Sequence, residues 1–347
     1  MIRKLIIPII VLVVIIAVGM SCWQAKSKGR LKPKTTGLPI KVARYYWPGM
    51  YWVEIADKKG WFKEAGLSVE LIDTNPDYNQ SLNDMAAGKM DSNNYYLFDL
   101  VRHVVDGADL VAVINADISF GMDAIVVKPG IERVLDLRGK TVGLSKDSNS
   151  EYALDIVLER SGLTLDDVVI KDMPGEKTSQ AFIKGEVDAI STWEPLVTEA
   201  IEKGRGHKLF DSSEIAGIMP AVTVFHKKFI KERPQDVQAY VNVWHKTTQF
   251  IKENPKEAFQ IIADIYKRPR VEVAGLAQID KLLDLRDNQT AFSYSTGFES
   301  LHGAVYKIND FMLKKGITDK HLDSLEFLDG QFIRALQREQ IRDEIFL

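Results

Sequence analysis

Gln80-Ser81-Leu82-Asn83-Asp84-Met85-Ala86-Ala87-Gly88-Lys89-Met90-Asp91, running on into Ser92-Asn93-Asn94-Tyr95, has an echo later in the chain. The echo is Thr178-Ser179-Gln180-Ala181-Phe182-Ile183-Lys184-Gly185-Glu186-Val187-Asp188, running on into Ala189-Ile190-Ser191-Thr192-Trp193. Each stretch reads as a helix, a glycine stop, the pattern Gly-x-apolar-Asp, and a short strand with a polar and aromatic end. The glycine supplies the left-handed residue that closes the helix. Such a unit delivers the C-terminal end of a strand, which is where open α/β sheets bind ligands. Two copies predict two lobes of similar build, each presenting an aromatic edge.

Outward from these units, short apolar runs alternate with amphipathic segments. The pattern predicts strands over 40–46, 67–72, 110–116, 124–128, 141–144 and 168–171, and helices over 51–64, 78–87, 150–161 and 177–184. Glycines at 66, 88, 162 and 185 stop the helices. This alternation argues for α/β layers with mostly parallel sheets, and from Pro234 onward the chain turns mainly helical.

The first residues stand apart. Arg3 and Lys4 precede an apolar run over 5–20 that only Pro8 and Gly19 interrupt. At roughly 16 residues it is short for a spanning helix, which needs about 20, and suits a signal peptide. Ser21-Cys22 closes it as in a lipoprotein leader, with Cys22 the expected lipidation site, although Gly19 stands where that pattern prefers Leu, Val or Ile. An uncleaved anchor is the other reading. Both place the remainder outside the cytoplasm. Residues 1–22 are thus expected to be a lipoprotein-like signal peptide, and 23–39, rich in Lys, Gly, Thr and Pro, a flexible tether.

The 347 residues carry 45 basic and 48 acidic side chains for a formal net charge of -3, so there is no basic footprint for nucleic acid. Cys22 is the only cysteine. That rules out an internal disulfide, a thiolate metal cluster and a downstream catalytic cysteine. No metal or cofactor is expected. Gly139-Lys140-Thr141 lacks the glycine-rich loop of a phosphate-binding motif, the His residues are scattered, and Asn288-Gln289-Thr290 fits a glycosylation acceptor in form alone.

A set of short stretches, in order, carries a resemblance. They are Ala43-Arg44-Tyr45-Tyr46-Trp47-Pro48-Gly49, Lys59-Gly60-Trp61-Phe62, Asp136-Leu137-Arg138-Gly139-Lys140-Thr141, Gly185-Glu186-Val187-Asp188-Ala189 and Trp193-Glu194-Pro195. Together they resemble the nitrate/sulfonate/taurine-type family of solute-binding proteins of ABC transporters, which includes relatives that bind thiamine pyrimidine precursors. The resemblance spans about residue 40 to the end. It implies an α/β, two-lobed periplasmic-binding-protein type II fold with two interlobe crossings, near 121–124 and 218–222. Lobe one is expected over 40–122 plus 222–347, and lobe two over 123–221. The implied function is an extracytoplasmic, membrane-anchored, monomeric binding protein that captures a small organic molecule by hinge closure and hands it to an ABC permease. The alternative is a ligand-sensing ectodomain that works without a permease. Fungal relatives that make the thiamine pyrimidine carry a cysteine-rich motif, which this chain lacks, so no enzyme is expected.

The expected ligand contacts follow the strand ends. Tyr46 and Trp47 close the first strand, Asn94 and Tyr95 the first echo, and Trp193 and Glu194 the second. Asp123 stands at the first crossing and is expected to bond ligand or hold the hinge. Ser148 and Asn149 open a helix, where they cap it or hold a polar ligand group. Acidic candidates Asp77, Asp123 and Glu194 outnumber the nearby cations Lys146 and Lys177. The ligand expected is therefore neutral or cationic, with a heteroaromatic ring compatible with the aromatic edges.

Overall fold

The computed structural model describes residues 34–75 and 77–345. The expected leader with Cys22, and most of the expected tether, lie outside the described residues. Among the described residues, no helix is long and apolar enough to cross a membrane.

The first part of the chain runs β1 (Pro39–Arg44), α1 (Tyr51–Lys58), α2 (Trp61–Glu64), β2 (Ser68–Asp73), α3 (Tyr78–Ala86), β3 (Ser92–Tyr96), α4 (Leu97–Val105) and β4 (Leu110–Ser119). The second runs β5 (Asp123–Val127), β6 (Thr141–Leu144), α5 (Asn149–Arg160), β7 (Val169–Asp172), α6 (Thr178–Ile183), β8 (Ala189–Trp193), α7 (Leu196–Gly204) and β9 (His207–Asp211). Then come β10 (Pro220–His226), α8 (Lys227–Glu232), α9 (Pro234–Glu253), α10 (Pro255–Tyr266), α11 (Arg270–Ile279), β11 (Asp280–Leu282), α12 (Leu285–Ala291), α13 (Leu301–Lys314) and α14 (Gln331–Ile345).

These strands form a six-stranded sheet, β11-β4-β10-β3-β1-β2, and a five-stranded sheet, β7-β6-β8-β5-β9. Without the edge strand β11, both sheets have one plan: β2-β1-β3-β10-β4 and β7-β6-β8-β5-β9. In each, the fourth strand runs antiparallel to both neighbours. That strand is the one the chain enters on crossing between sheets. The units echoed in the sequence, α3–β3 and α6–β8, hold the same third place in their sheets. The repeat is therefore structural, and the fold is the expected two-lobed α/β architecture.

The expected helix over 51–64 is two helices. Gly60 breaks it, at φ 71° in the left-handed region where only glycine is unstrained. Strand β4 outruns its apolar signal by three residues, Asp117, Ile118 and Ser119, and is buried along its whole length. At the end of the expected tether, Thr36 donates from N and Oγ1 to the buried Asp236 carboxylate, at 2.8 and 2.5 Å. Arg233 pairs with the same carboxylate at 2.7 Å, so these tether residues are fixed against α9.

The apolar core runs on from one sheet to the other. Phe98 of α4, Phe311 of α13 and Tyr152 of α5 meet with ring centroids 5.6–5.9 Å apart, and all three are buried. Burying rings of this size contributes about 2 kcal/mol each, so the contact between lobes is substantial. The two crossings are tied together. Ser119 Oγ lies 2.7 Å from Ser212 Oγ, and the Gly121 N–H donates to Ser212 Oγ at 2.8 Å. Asn288, inside the glycosylation-like triplet, is fully buried. It receives the Asn115 N–H at 2.7 Å and donates to the Asn115 carbonyl at 2.8 Å, tying α12 to β4.

Candidate ligand-binding site

The C-terminal end of β1 opens into Tyr45-Tyr46-Trp47, and Pro48 begins a 3-10 turn over Pro48–Met50. Proline suits that first position because its missing N–H would be unpaired there anyway. The turn lies directly on β4. A Cβ on Gly49 would come within 1.9 Å of Asp117 Oδ1, so only glycine permits this approach. Trp47 Nε1 donates to Asp117 Oδ2 at 3.4 Å, and the Trp47 ring stands edge-on to Tyr96, centroids 6.3 Å apart. The Tyr96 hydroxyl donates to Asp123 Oδ2 at 3.4 Å, and Ser119 Oγ receives the Asp123 N–H at 3.2 Å.

Three carboxylates meet beneath this aromatic wall. Asp117 comes from the end of β4, Asp123 from the start of β5 and Asp280 from β11. Asp117 and Asp280 are fully buried and Asp123 is 6% exposed. Asp280 is opposite Ser119, and Leu282 is opposite Asp117. The two aspartates are therefore diagonal neighbours on one face. Burial pushes both above the usual carboxylate range, and their mutual charge adds to it for Asp280, so the pair retains a proton more readily than a solvated acid. Burial pushes Asp123 up to about 6, against the hydrogen bonds from Ser119 and Tyr96. A second aromatic–acid group adjoins. The Tyr78 hydroxyl donates to Asp99 Oδ2 at 2.9 Å and Tyr45 to the Asn94 carbonyl at 3.3 Å. Burial likewise raises Asp99 to about 6.

Of the residues expected at the site, Trp47 and Asp123 come together here. Asn149 reaches across from α5 to Asp99 Oδ2 at 3.4 Å. Ser148 caps α5, accepting from the Ser150 N–H and donating to the Ser145 carbonyl. Tyr46 turns the other way, with its hydroxyl 3.4 Å from Glu272 and its ring against Tyr266. Asn94 is buried in the sheet, receiving Thr223 Oγ1 at 2.6 Å and donating to the Gly49 carbonyl at 3.3 Å. Tyr95 is fully buried in the core of the first lobe and donates to the Leu82 carbonyl at 2.6 Å. Trp193 is opposite Asp123 on the neighbouring strand, packed over Gly175, while Glu194 caps α7 through the Thr198 N–H. Lys146 and Lys177 are exposed.

The sequence reading did not pick out Asp117, Asp280, Asp99, Tyr78 or Tyr96. Asp117 had a signal in the alternation Asn115, Asp117, Ser119 at the end of an apolar run. Asp280 had none, because β11 is a three-residue strand inside a helical tail.

Beside Asp123 lies a cavity of about 10 Å3, lined by Ser150, Ser191, Thr192 and Ser212 among others, with room for about one water-sized group. Its lining comes from β5, α5, β8, β9 and the return crossing at Ser212, Ile218 and Met219, all on the second-sheet side.

Residues 47–258 match the family described as NMT1/THI5 like. The chain belongs to that family. A Bacillus subtilis (strain 168) member with the provisional name aliphatic sulfonates-binding protein is 25% identical over 294 residues, 82% of this chain and 84% of that protein. A Haemophilus influenzae protein with the provisional name thiamine biosynthesis protein is 28% identical over 231 residues, 64% of this chain and 71% of that one. In three dimensions, the periplasmic aliphatic sulphonate binding protein SsuA of Escherichia coli superposes with a TM-score of 0.66 at 16% identity. It covers 83% of this chain and 91% of its own. That likeness is one of fold.

Proposed function

We propose that this NMT1/THI5-like chain is an extracytoplasmic solute-binding protein of an ABC importer, catalysing nothing. It captures a small organic molecule between its lobes and presents the closed form to a permease. The observation that carries this reading is the aromatic and carboxylate wall at the strand ends, enclosed between two sheets joined by paired crossings. On this reading the ligand enters when the lobes part and is enclosed when they close again. The name of the Bacillus relative supports a role in small-molecule binding. The lobes are taken as 40–122 with 222–347, and 123–221. Export and tethering rest on the leader and Cys22.

Trp47 on the first lobe, and Asp123, Asn149 and Trp193 on the second, are the contacts the geometry favours. Tyr46, Asn94, Tyr95, Ser148 and Glu194 act one step back, holding the loop, the sheet and the helix ends. A neutral or cationic molecule suits this lining better than a sulfonate, because no Lys or Arg side chain pairs with its carboxylates among the described residues. Mass spectrometry of small molecules released from the purified protein tests the reading. A stoichiometric organic compound, with compaction in small-angle scattering on its return, is the expected result. A protein that releases nothing, and never compacts with any solute, is not a binding protein.

A further inference from the structure

We propose that Asp117, Asp123 and Asp280 form the receptor for the positive charge of an organic cation, with Trp47 and Tyr96 as its aromatic wall. This deepens the solute-binding reading and rests on it.

The first ground is unmet hydrogen bonding. Both carboxylate oxygens of Asp280, and Oδ1 of Asp117, are buried with no well-aligned hydrogen bond; Asp280 has only the nearby Gly49 N–H and a proton shared with Asp117 to act on it. Buried polar atoms in folded proteins are nearly always paired, and a carboxylate left unpaired is among the most costly exceptions. The second ground is how the chain treats its other buried acids. Asp236 pairs with Arg233 at 2.7 Å, Glu54 with Arg44 at 2.8 Å, and Glu151 with Lys315 at 2.7 Å. Three of the four other buried acids among the described residues thus have a cation of their own; Asp155 forms no ion pair there, although Lys314 and Lys315 act on it. Among the described residues, no Lys, Arg or His forms an ion pair with Asp117, Asp123 or Asp280. The charges that act on these three are chiefly one another's.

The third ground is the shape of what fits. No group of His, Cys, Asp and Glu among the described residues is disposed to hold a metal ion. An organic cation has different needs. Its N–H or N-alkyl groups reach several acceptors, and its body lies against aromatic faces, where cation–π attraction adds about 0.5–2 kcal/mol. Trp47 and Tyr96 stand edge to face over the acids. Gly49, having no side chain, lets the Trp47 turn settle onto Asp117. A sulfonate would meet the same carboxylates with no donor of opposite charge and be repelled.

A consequence separates a receptor from a merely structural acid pair. Asp117 is faced by Asp280, Asp123, Trp47, Tyr45 and Tyr96; Asp123 by Ser119 and Tyr96; Asp280 by Asp117, Asp123, Tyr45, Tyr96 and the Gly49 N–H. Without a cation, the trio keeps a proton to lessen its own repulsion. A bound cation takes over that role, so binding near neutral pH releases protons.

The test is isothermal titration of the full chain in detergent with benzamidinium, 4-aminopyridinium and methanesulfonate, in two buffers of different ionisation enthalpy. At least one of the two cations is expected to bind with proton release, and methanesulfonate is not. Asp280→Asn, which preserves shape, is expected to weaken cation binding at least tenfold. If that variant does not fold by circular dichroism, Trp47→Leu is titrated instead and is expected to lose most of the affinity. Methanesulfonate binding with both cations silent overturns the receptor and leaves the solute-binding reading intact. Cation binding that is unchanged in Asp280→Asn, or that takes up no part in proton release, also overturns it. So does a co-purified ligand that proves neutral or anionic. If no probe binds and no molecule co-purifies, both readings fall together.

Discussion

Lys315 Nζ, just past the end of α13, lies 2.7 Å from Glu151 Oε1 on α5, and Glu151 Oε2 receives the Asp147 N–H at 2.7 Å. One buried carboxylate thus joins the two lobes and holds the turn before α5, in which Asp147 has φ 53°. Lys314 adds a second, exposed pair to Glu159 at 2.8 Å. Lys315→Met would leave Glu151 buried and unpaired, at a cost of about 3 kcal/mol to the closed arrangement. The ligand-free variant is expected to show a larger radius of gyration in small-angle scattering and weaker ligand binding. Lys314→Met is expected to change little, since exposed pairs contribute about 0.5 kcal/mol. Equal effects of the two variants would show that Glu151 is no latch.

Gly49→Ala places a methyl group inside the contact distance of Asp117. The 3-10 turn must lift and take Trp47 with it. Such overpacking typically costs about 1–3 kcal/mol, and here the displaced group is the site itself. Thermal melting is expected to fall modestly while ligand affinity falls severely. A Gly49→Ala protein of normal affinity would place the ligand elsewhere.

Asp123 carries a pH signature. Its folded-state pKa of about 6 exceeds the unfolded value, so the folded state binds its proton more readily. The stability this contributes is present below about pH 4 and is lost as pH rises through about 6. Asp99 and Asp155, also raised to about 6, act in the same sense. His245 and His302, which burial keeps neutral, act oppositely as pH falls below the ordinary histidine range. Asp123→Asn isolates one group. It is expected to stabilise the ligand-free protein by about 2 kcal/mol at pH 7.5 and by little at pH 4. Urea unfolding of both proteins at the two pH values measures it, and a difference independent of pH would refute the assignment.

Asn288→Ala removes both links to the backbone of Asn115 and leaves a buried N–H and carbonyl unpaired. A loss of about 2–4 kcal/mol is expected in chemical denaturation. Glycosylation at this triplet would require α12 to leave β4.

Much of the fold was legible because its signals are local. Glycine stops at 66, 88, 162 and 185 all have positive φ, as helix closure requires. Strand β6 spans the four residues its apolar run marked. The repeated helix–glycine–strand unit announced two lobes of one plan. What failed locally was α4, which begins immediately after β3 with no glycine or proline between them, and β11, which exists only because β4 offers it an edge.

The site was less legible. Tyr95 and Tyr96 are adjacent and chemically identical, yet alternate side chains point to opposite faces of a strand. Tyr95 goes into the core and Tyr96 to the acids, and composition carries no information on which is which. Trp47 and Asp123 stood out because each marks a chain reversal or crossing, and the structure links them through Tyr96.

The amino-acid sequence alone determined the alternation of layers, the internal repeat, the family resemblance and the scarcity of cysteine, all properties of neighbours along the chain. Only tertiary structure decided that Asp117, Asp123 and Asp280 meet. They come from three separate segments, and burial together, not their spacing, makes their charges act on one another.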